Sequence, residues 1–218
     1  MADIHLTTFS AESRRASLAE ITSRLGLTQA NLIRDQYSKP FLQTPEGQIF
    51  GLGVTHIRSV AKTFSLMAAS TCPQLGLDAE LWNLTPPDDV FLNSVMAAEE
   101  AKLAQAVNET GQDAGLLLWV GKEAALKSHG LTMVDPRHLA LRQLGANHFR
   151  AESSKAATAP VMPANVWFYT FTAPEINQLI LLAIAVADNE QPVQFISVWA
   201  EKLPGLAPLD LDSLQSEQ

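Results

Sequence analysis

Cysteine occurs once in this chain, at Cys72, which excludes an intrachain disulfide and a Cys-rich zinc site. Cys72 itself reads as a small residue near a strand end. Long apolar runs are also missing. The longest, Leu179 to Ala187, is about half of what a membrane span requires. The first residues, Met1-Ala2-Asp3-Ile4-His5-Leu6, show no basic region ahead of an apolar stretch, so no signal peptide is expected. Positive charge is scarce: 15 Lys and Arg stand against 23 Asp and Glu, a net charge of −8. That balance argues against a protein that wraps nucleic acid non-specifically. Together these absences lead to the expectation of a reduced, cytoplasmic setting.

What remains is enough for a sizeable core. The 218 residues are 47% hydrophobic with a mean hydropathy of +0.05, sufficient for one domain or two small ones. A first strand is expected over Ile4 to Phe9, then a helix from Arg14 to Leu25, capped by Ser10 or Ser13 and ended by Gly26. A short second helix is expected from Thr28 through Tyr37. Lys39-Pro40-Phe41-Leu42 reads as extended, because proline disfavours a helical conformation in the residue before it. Strands follow over Ile49 to Ile57, Ala61 to Ser70 and Gly76 to Glu80. Pro86-Pro87-Asp88-Asp89 opens a helix that continues to Val107, and another runs from Ala114 to Ser128. Val134 to Leu144 is a strand or mixed segment, and Ser153 to Pro163 a loop. Val166 to Thr172, Leu179 to Ala187 and Val193 to Ala200 complete the strands.

Phe50 to Ser70 and Phe168 to Ala187 share a strand-turn-strand layout of similar length. This echo predicts an α+β chain of two structurally similar halves related by a pseudo-twofold, each a small antiparallel sheet packed with helices. The expected division is 1–73, then 74–203, with 204–218 a frayed tail.

Two stretches carry chemistry. In Gly76-Leu77-Asp78-Ala79-Glu80, Asp78 and Glu80 are two apart, so on a strand both carboxylates point to one face. In Trp119-Val120-Gly121-Lys122-Glu123-Ala124-Ala125-Leu126-Lys127, Glu123 and Lys127 are four apart and share a helix face. A strand offering two carboxylates to a helix offering Glu and Lys suits Mg²⁺ and a polyphosphate, since magnesium is held by a few carboxylates, water and substrate phosphates.

Each motif alone reads as a solvated face or surface salt-bridge decoration; in combination they resemble a known family. Trp119-x-x-Lys122-Glu123-Ala124-x-x-Lys127 resembles the helical signature of the 4′-phosphopantetheinyl transferase superfamily, and Gly76 to Glu80 its Gly-Val-Asp-x-Glu strand. Lys39-Pro40-Phe41-Leu42 resembles the Gly-Lys-Pro-x-Leu stretch of the longer, two-half members, and Val54-Thr55-His56-Ile57 their Ser/Thr-His-Ser motif. Glu100 falls roughly where such proteins carry the Glu of a Phe-Ser-x-x-Glu segment. The resemblance runs from about residue 14 to residue 200, in the family's order.

It implies transfer of the 4′-phosphopantetheine arm of coenzyme A to a serine of an acyl or peptidyl carrier protein. The pathways would be fatty-acid, polyketide, siderophore or peptide synthesis, and 3′,5′-ADP the by-product. It implies Asp78, Glu80 and Glu123 as Mg²⁺ ligands, with Glu123 the foremost candidate for the base. Lys127 would neutralise a phosphate oxygen or the leaving group, and Lys122 is the weaker lysine. Lys39 and His56 would contact coenzyme A phosphates, with Thr55 donating a hydrogen bond; His56 is also a candidate base. Arg15 stands nearest the family's helix arginine, with Arg14 and Arg34 as rivals. A two-half chain implies a monomer. Departures are Ile57 for a small polar residue, Gly53 for Asn or Ser, and Ala79 within the acidic motif. Ile57, with an N-terminal region shorter than in many two-half members, motivates an alternative: a catalytically weak relative that binds coenzyme A or a carrier protein as an accessory factor.

Trp119 is expected to pack and position its helix, Asp88-Asp89 to complement a helix N-terminus, and His5, His129, His138 and His148 to lie in loops or at the surface. Arg137, Arg142, Arg150 and Lys155 are a local basic excess, open to two readings: simple solvation, or docking of an acidic carrier.

Overall fold

Alternation of side chains along two β-rich halves builds the molecule. The computed structural model describes residues 2–10, 13–59, 63–82, 88–131, 134–173, 176–188, 196–200, 203, 205–209 and 211. The first half runs β1 (Ala2–Phe9), α1 (Arg14–Arg24), β2 (Asn31–Arg34), β3 (Pro40–Gln43), β4 (Ile49–Arg58) and β5 (Thr63–Ser70). The second runs β6 (Leu75–Leu81), α2 (Asp89–Val95), a 3-10 turn (Ala98–Glu100), α3 (Ala101–Glu109), α4 (Ala114–Ser128), a second 3-10 turn (Pro136–His138), β7 (Leu139–Gln143), β8 (His148–Ser153), β9 (Ala164–Ala173) and β10 (Gln178–Ala187). Two short strands follow, β11 (Ile196–Trp199) and β12 (Ala207–Pro208).

The halves repeat one topology. The first sheet is ordered β11-β1-β5-β4-β3-β2 and the second β6-β10-β9-β8-β7. Setting β11 aside, β1 to β5 correspond one by one to β6 to β10, with helices inserted after the first strand of each. The echo between residues 50–70 and 168–187 is therefore β4-β5 repeated as β9-β10.

Three apolar layers form the core, and the middle one joins the halves. Between the sheets lie Ile4, Leu6, Ile57, Leu66 and Ala68 of the first, against Leu77, Trp167, Phe171, Ile180, Leu182 and Ile184 of the second. On the outer face of the first sheet Phe9, Leu42, Phe50, Leu52 and Met67 meet Ile21 of α1. On the outer face of the second, Val166, Phe168, Leu181, Ala183 and Ala185 meet Leu117, Val120, Ala124 and Ala125 of α4. Each such Leu or Ile taken out of water contributes about 1.5–3 kcal/mol. The period of two places Leu75, Leu77 and Ala79 in the inter-sheet layer and so turns Gly76, Asp78 and Glu80 to the α4 side.

Several expectations are modified by the fold. Residues 28–37 form no helix: β2 pairs with β3 as a hairpin, because Asp35 Oδ1 accepts from the backbone N–H of Tyr37 and Lys39 and closes the turn. Residues 148–153, to which the sequence assigns no element, form the strand β8. The helix expected to reach Val107 is split into α2, a 3-10 turn and α3. The last strand does not join the second sheet but pairs in parallel with β1. Part of the expected tail is packed: β12 pairs with Tyr169 and Thr170 of β9, and Leu209 and Leu211 are buried. Pro86-Pro87, Ala61, residues 193–195 and most of the remaining tail lie outside the described residues. No helix among the described residues is long and apolar enough to cross a membrane.

Candidate active site

Two unpaired strand edges face each other where the halves meet. β3 pairs only with Ile49 to Gly51 of β4, leaving the rest of that edge of β4 open. β6 is an edge strand of its sheet. Glycines bring these edges close: a Cβ on Gly53 would sit 2.9 Å from Leu77 Cβ, and one on Gly51 2.2 Å from the Cys72 carbonyl oxygen. Gly53, where the family carries Asn or Ser, is thus the residue that this approach admits.

Helix α4 closes the cleft. Asp113 caps its start by accepting from Leu116 N–H. Its end is a Schellman arrangement: Gly130 has φ +74°, Leu131 N–H bonds to the Leu126 carbonyl and Gly130 N–H to that of Lys127. α4 lies tightly on β6, since a Cβ on Gly76 would fall 1.9 Å from the Ala124 carbonyl oxygen. The contact at Gly76 sets the distance between the acidic strand and the Glu-Lys face of the helix.

Val54, Thr55, His56, Asp78, Glu80, Trp119, Glu123 and Lys127 line one cavity of about 350 Å³. It adjoins a larger one of about 400 Å³ through Val54, His56 and Lys127, and that lobe adds Arg14, Arg34, Tyr37, Ser38 and Lys39. The cleft therefore has an acidic end and a basic end, with Lys127 and His56 at the boundary.

At the acidic end, Lys127 Nζ donates to Asp78 Oδ1 at 2.6 Å and Thr55 Oγ1 donates to the same oxygen at 3.1 Å. Asp78 is 4% exposed, and its Oδ2 is buried with no hydrogen-bond partner among the described residues. Burial pushes all three carboxyls up. The Asp78 charge raises Glu80 and Glu123 further, while Lys127 opposes the shift in each. Among the described residues no three His, Cys, Asp or Glu side chains are already gathered around one point. The donor set nevertheless fits a hard divalent cation: it is all oxygen, it is partly desolvated, and it includes one buried carboxylate oxygen with no partner.

At the basic end, Lys39 is 7% exposed. Its Nζ donates to the Ser128 carbonyl oxygen at the C-terminus of α4 and to Gln74 Oε1 at 3.3 Å. Burial lowers its pKa to about 8. His56 is exposed, with Nδ1 2.6 Å from Ser65 Oγ and its ring edge-on to Phe9. Arg15 is exposed and does not line the cleft, whereas both rivals, Arg14 and Arg34, do. Thr55 is turned to Asp78. Ile57 is fully buried between the sheets, so that departure from the family pattern does not touch the cleft.

Tyr37 and Ser38 line the basic lobe although no motif marks them. They sit in the Asp35 turn, with Ser38 at φ +66° and its carbonyl accepting from Arg34 Nη1. The Asp35-Gln36-Tyr37-Ser38 stretch ahead of Lys-Pro was the available signal.

Other residues have plainer roles. Trp119 packs against Phe91 and also lines the cavity. Lys122 is fully buried and paired with Glu100 at 2.6 Å. Asp88 caps α2. His148 is no loose surface residue: it stacks on Trp167 at 4.7 Å and bonds Asn165. His5 and His129 each hold a buried ring nitrogen without a partner among the described residues. The three arginines of the basic cluster are paired where they stand: Arg137 with Asp135, Arg142 with Glu152 and Arg150 with Asp188. That arrangement supports the solvation reading.

No curated protein matches the chain. Residues 74–172 match the family model of the 4′-phosphopantetheinyl transferase superfamily, a stretch that holds Asp78, Glu80, Trp119, Glu123 and Lys127. Over this stretch, in which an acidic strand is laid against the Glu-Lys helix, the chain is similar to the 4′-phosphopantetheinyl transferase superfamily.

Proposed function

We propose that this chain transfers the 4′-phosphopantetheine group from coenzyme A to a serine of an acyl or peptidyl carrier protein. The single observation that carries the reading is the two-ended cleft, in which three carboxylates adjoin a basic lobe of Arg14, Arg34, Lys39 and His56. A pyrophosphate bound across the boundary would place its nucleotide end among the basic groups and its pantetheine end beside Glu123.

A divalent cation held by Asp78, Glu80 and Glu123 would neutralise the pyrophosphate and polarise it for attack. The carrier serine hydroxyl attacks the phosphorus bearing the pantetheine arm, a P–O bond breaks, and 3′,5′-ADP leaves. Glu123, its carboxyl raised by burial, takes the serine proton directly or through water, since a base works best near its operating pH. Lys127 supplies positive charge to the phosphate oxygens as charge moves to the leaving group. Residues 1–73 and 74–203 act as two halves around one site, so the chain would work as a monomer in the cytoplasm.

Intact-mass measurement of a panel of apo carriers, incubated with the chain, coenzyme A and Mg²⁺, tests the reaction. The expected result is a gain of one phosphopantetheine that a chelator abolishes and Glu123→Ala prevents in a folded protein. Near-normal turnover by Glu123→Ala would refute the assignment. Binding of coenzyme A without transfer to any carrier would favour the accessory-factor alternative.

A further inference from the structure

At the acidic end, a side-chain hydrogen bond from Thr55 links the two halves. We propose that Thr55 is a positioning residue for the cation-binding carboxylate Asp78 and not a ligand of coenzyme A; this rests on the functional reading above. Thr55 comes from β4 in the first half and Asp78 from β6 in the second. Both are almost wholly buried, at 4% exposure each.

A threonine hydroxyl has one proton to give. Here that proton goes to Asp78 Oδ1 at 3.1 Å, so it is not available to a phosphate. Lys127 Nζ approaches the same oxygen at 2.6 Å, while Oδ2 has no partner. With two donors on one oxygen and none on the other, the carboxylate is fixed in rotation and offers one bare oxygen to a cation. Partners of this kind orient a ligand without touching the metal. A β-branched side chain suits the task because its χ1 is restricted. The reach of so short a side chain depends on the close approach of β4 and β6 at Gly51 and Gly53, where a Cβ would lie 2.8 Å from Leu75 Cβ and 2.9 Å from Leu77 Cβ respectively.

The test uses the full chain without carrier. Calorimetric titration measures Mn²⁺ binding in the absence of coenzyme A, and a second titration measures coenzyme A binding in EDTA. Thr55→Val keeps the shape and removes the hydroxyl; Thr55→Ser keeps the hydroxyl. The expected result is that Thr55→Val weakens Mn²⁺ binding about tenfold or more and leaves coenzyme A binding in EDTA unchanged, while Thr55→Ser restores the Mn²⁺ affinity. Thermal unfolding without metal checks that each variant is folded, and Thr55→Ala repeats both titrations should valine not fit. Weakened coenzyme A binding with unchanged Mn²⁺ affinity would overturn the proposal and make Thr55 a phosphate ligand. Unchanged affinities for both would overturn it equally. Failure of the unmodified chain to bind either Mn²⁺ or coenzyme A would overturn the functional reading, and this proposal with it.

Discussion

Replacing Lys122 with methionine while Glu100 stays in place should cost about 3–5 kcal/mol, the penalty of stranding one partner of a buried ion pair. The two side chains are 0% and 1% exposed, with Nζ and Oε2 2.6 Å apart. Lys122 also donates to the Val95 carbonyl at 2.7 Å. Glu100 Oε2 accepts from Ala97 N–H at 2.7 Å and Oε1 from Leu141 N–H at 2.7 Å. Burial pushes the Glu100 carboxyl up and the Lys122 ammonium down, and their mutual attraction opposes both shifts. After Lys122→Met the carboxylate keeps its two backbone donors but has no compensating charge. For a chain of this length each kcal/mol moves Tm by about 2–4 °C, so a fall of about 6–20 °C is expected. Glu100→Gln combined with Lys122→Met removes both charges together and should recover most of the loss. Urea unfolding of the two singles and the double gives the coupling energy directly. A Lys122→Met chain within about 1 kcal/mol of the parent, or a double no more stable than that single, would refute this account of the pair.

Three further outcomes follow from the same geometry. Gly76→Ala would push α4 off β6, because the new Cβ falls 1.9 Å from the Ala124 carbonyl oxygen; a loss of about 1–3 kcal/mol with a larger loss of transfer activity is expected from paired melting and activity assays. Lys39, whose folded pKa is lowered from 10.5 to about 8, opposes folding while charged, a cost fully present below pH 8 and relieved as pH rises toward 10.5. Stability of the parent relative to Lys39→Met should therefore rise by up to about 3 kcal/mol between pH 7 and 10.5, and a flat difference in denaturant midpoints would refute it. Arg14→Ala should raise the KM for coenzyme A about tenfold or more, as a lost charge-assisted hydrogen bond would. Arg15→Ala should leave that KM unchanged, since Arg15 is not among the residues that line the cleft.

Much of this arrangement was legible where chemistry and periodicity coincide. Asp78 and Glu80 on a strand, and Glu123 and Lys127 on a helix, share a face by geometry alone, and all four line one cavity. The duplication was legible because β4-β5 and β9-β10 carry long apolar strands in the same order. What escaped was decided by contacts distant in sequence or by side-chain capture of the backbone. The Asp35 carboxylate turned an apparent helix into a hairpin. Glu100 was visible as a motif position, but its partnership with Lys122 joins residues 22 apart. Thr55 reads as a phosphate donor from its motif, and its hydrogen bond to Asp78 joins residues 23 apart. β11 and β12 went to opposite sheets, a choice that strand propensity does not encode.

Those two strands bear on why a duplicated scaffold would have one reaction centre and not two. In the first half β3 leaves most of one β4 edge unpaired, and that edge faces β6 across the cleft. The counterpart gap would lie between β9, where β8 pairs only as far as Trp167, and β1. β12 covers β9 at Tyr169 and Thr170, and β11 covers β1 along Ala2 to His5. The end of the chain thus fills the second mouth, so one coenzyme per polypeptide is the stoichiometry to expect. Truncation ahead of residue 196 would uncover two β-edges of the kind that pair with other chains, and self-association, more than simple loss of activity, would be its first symptom.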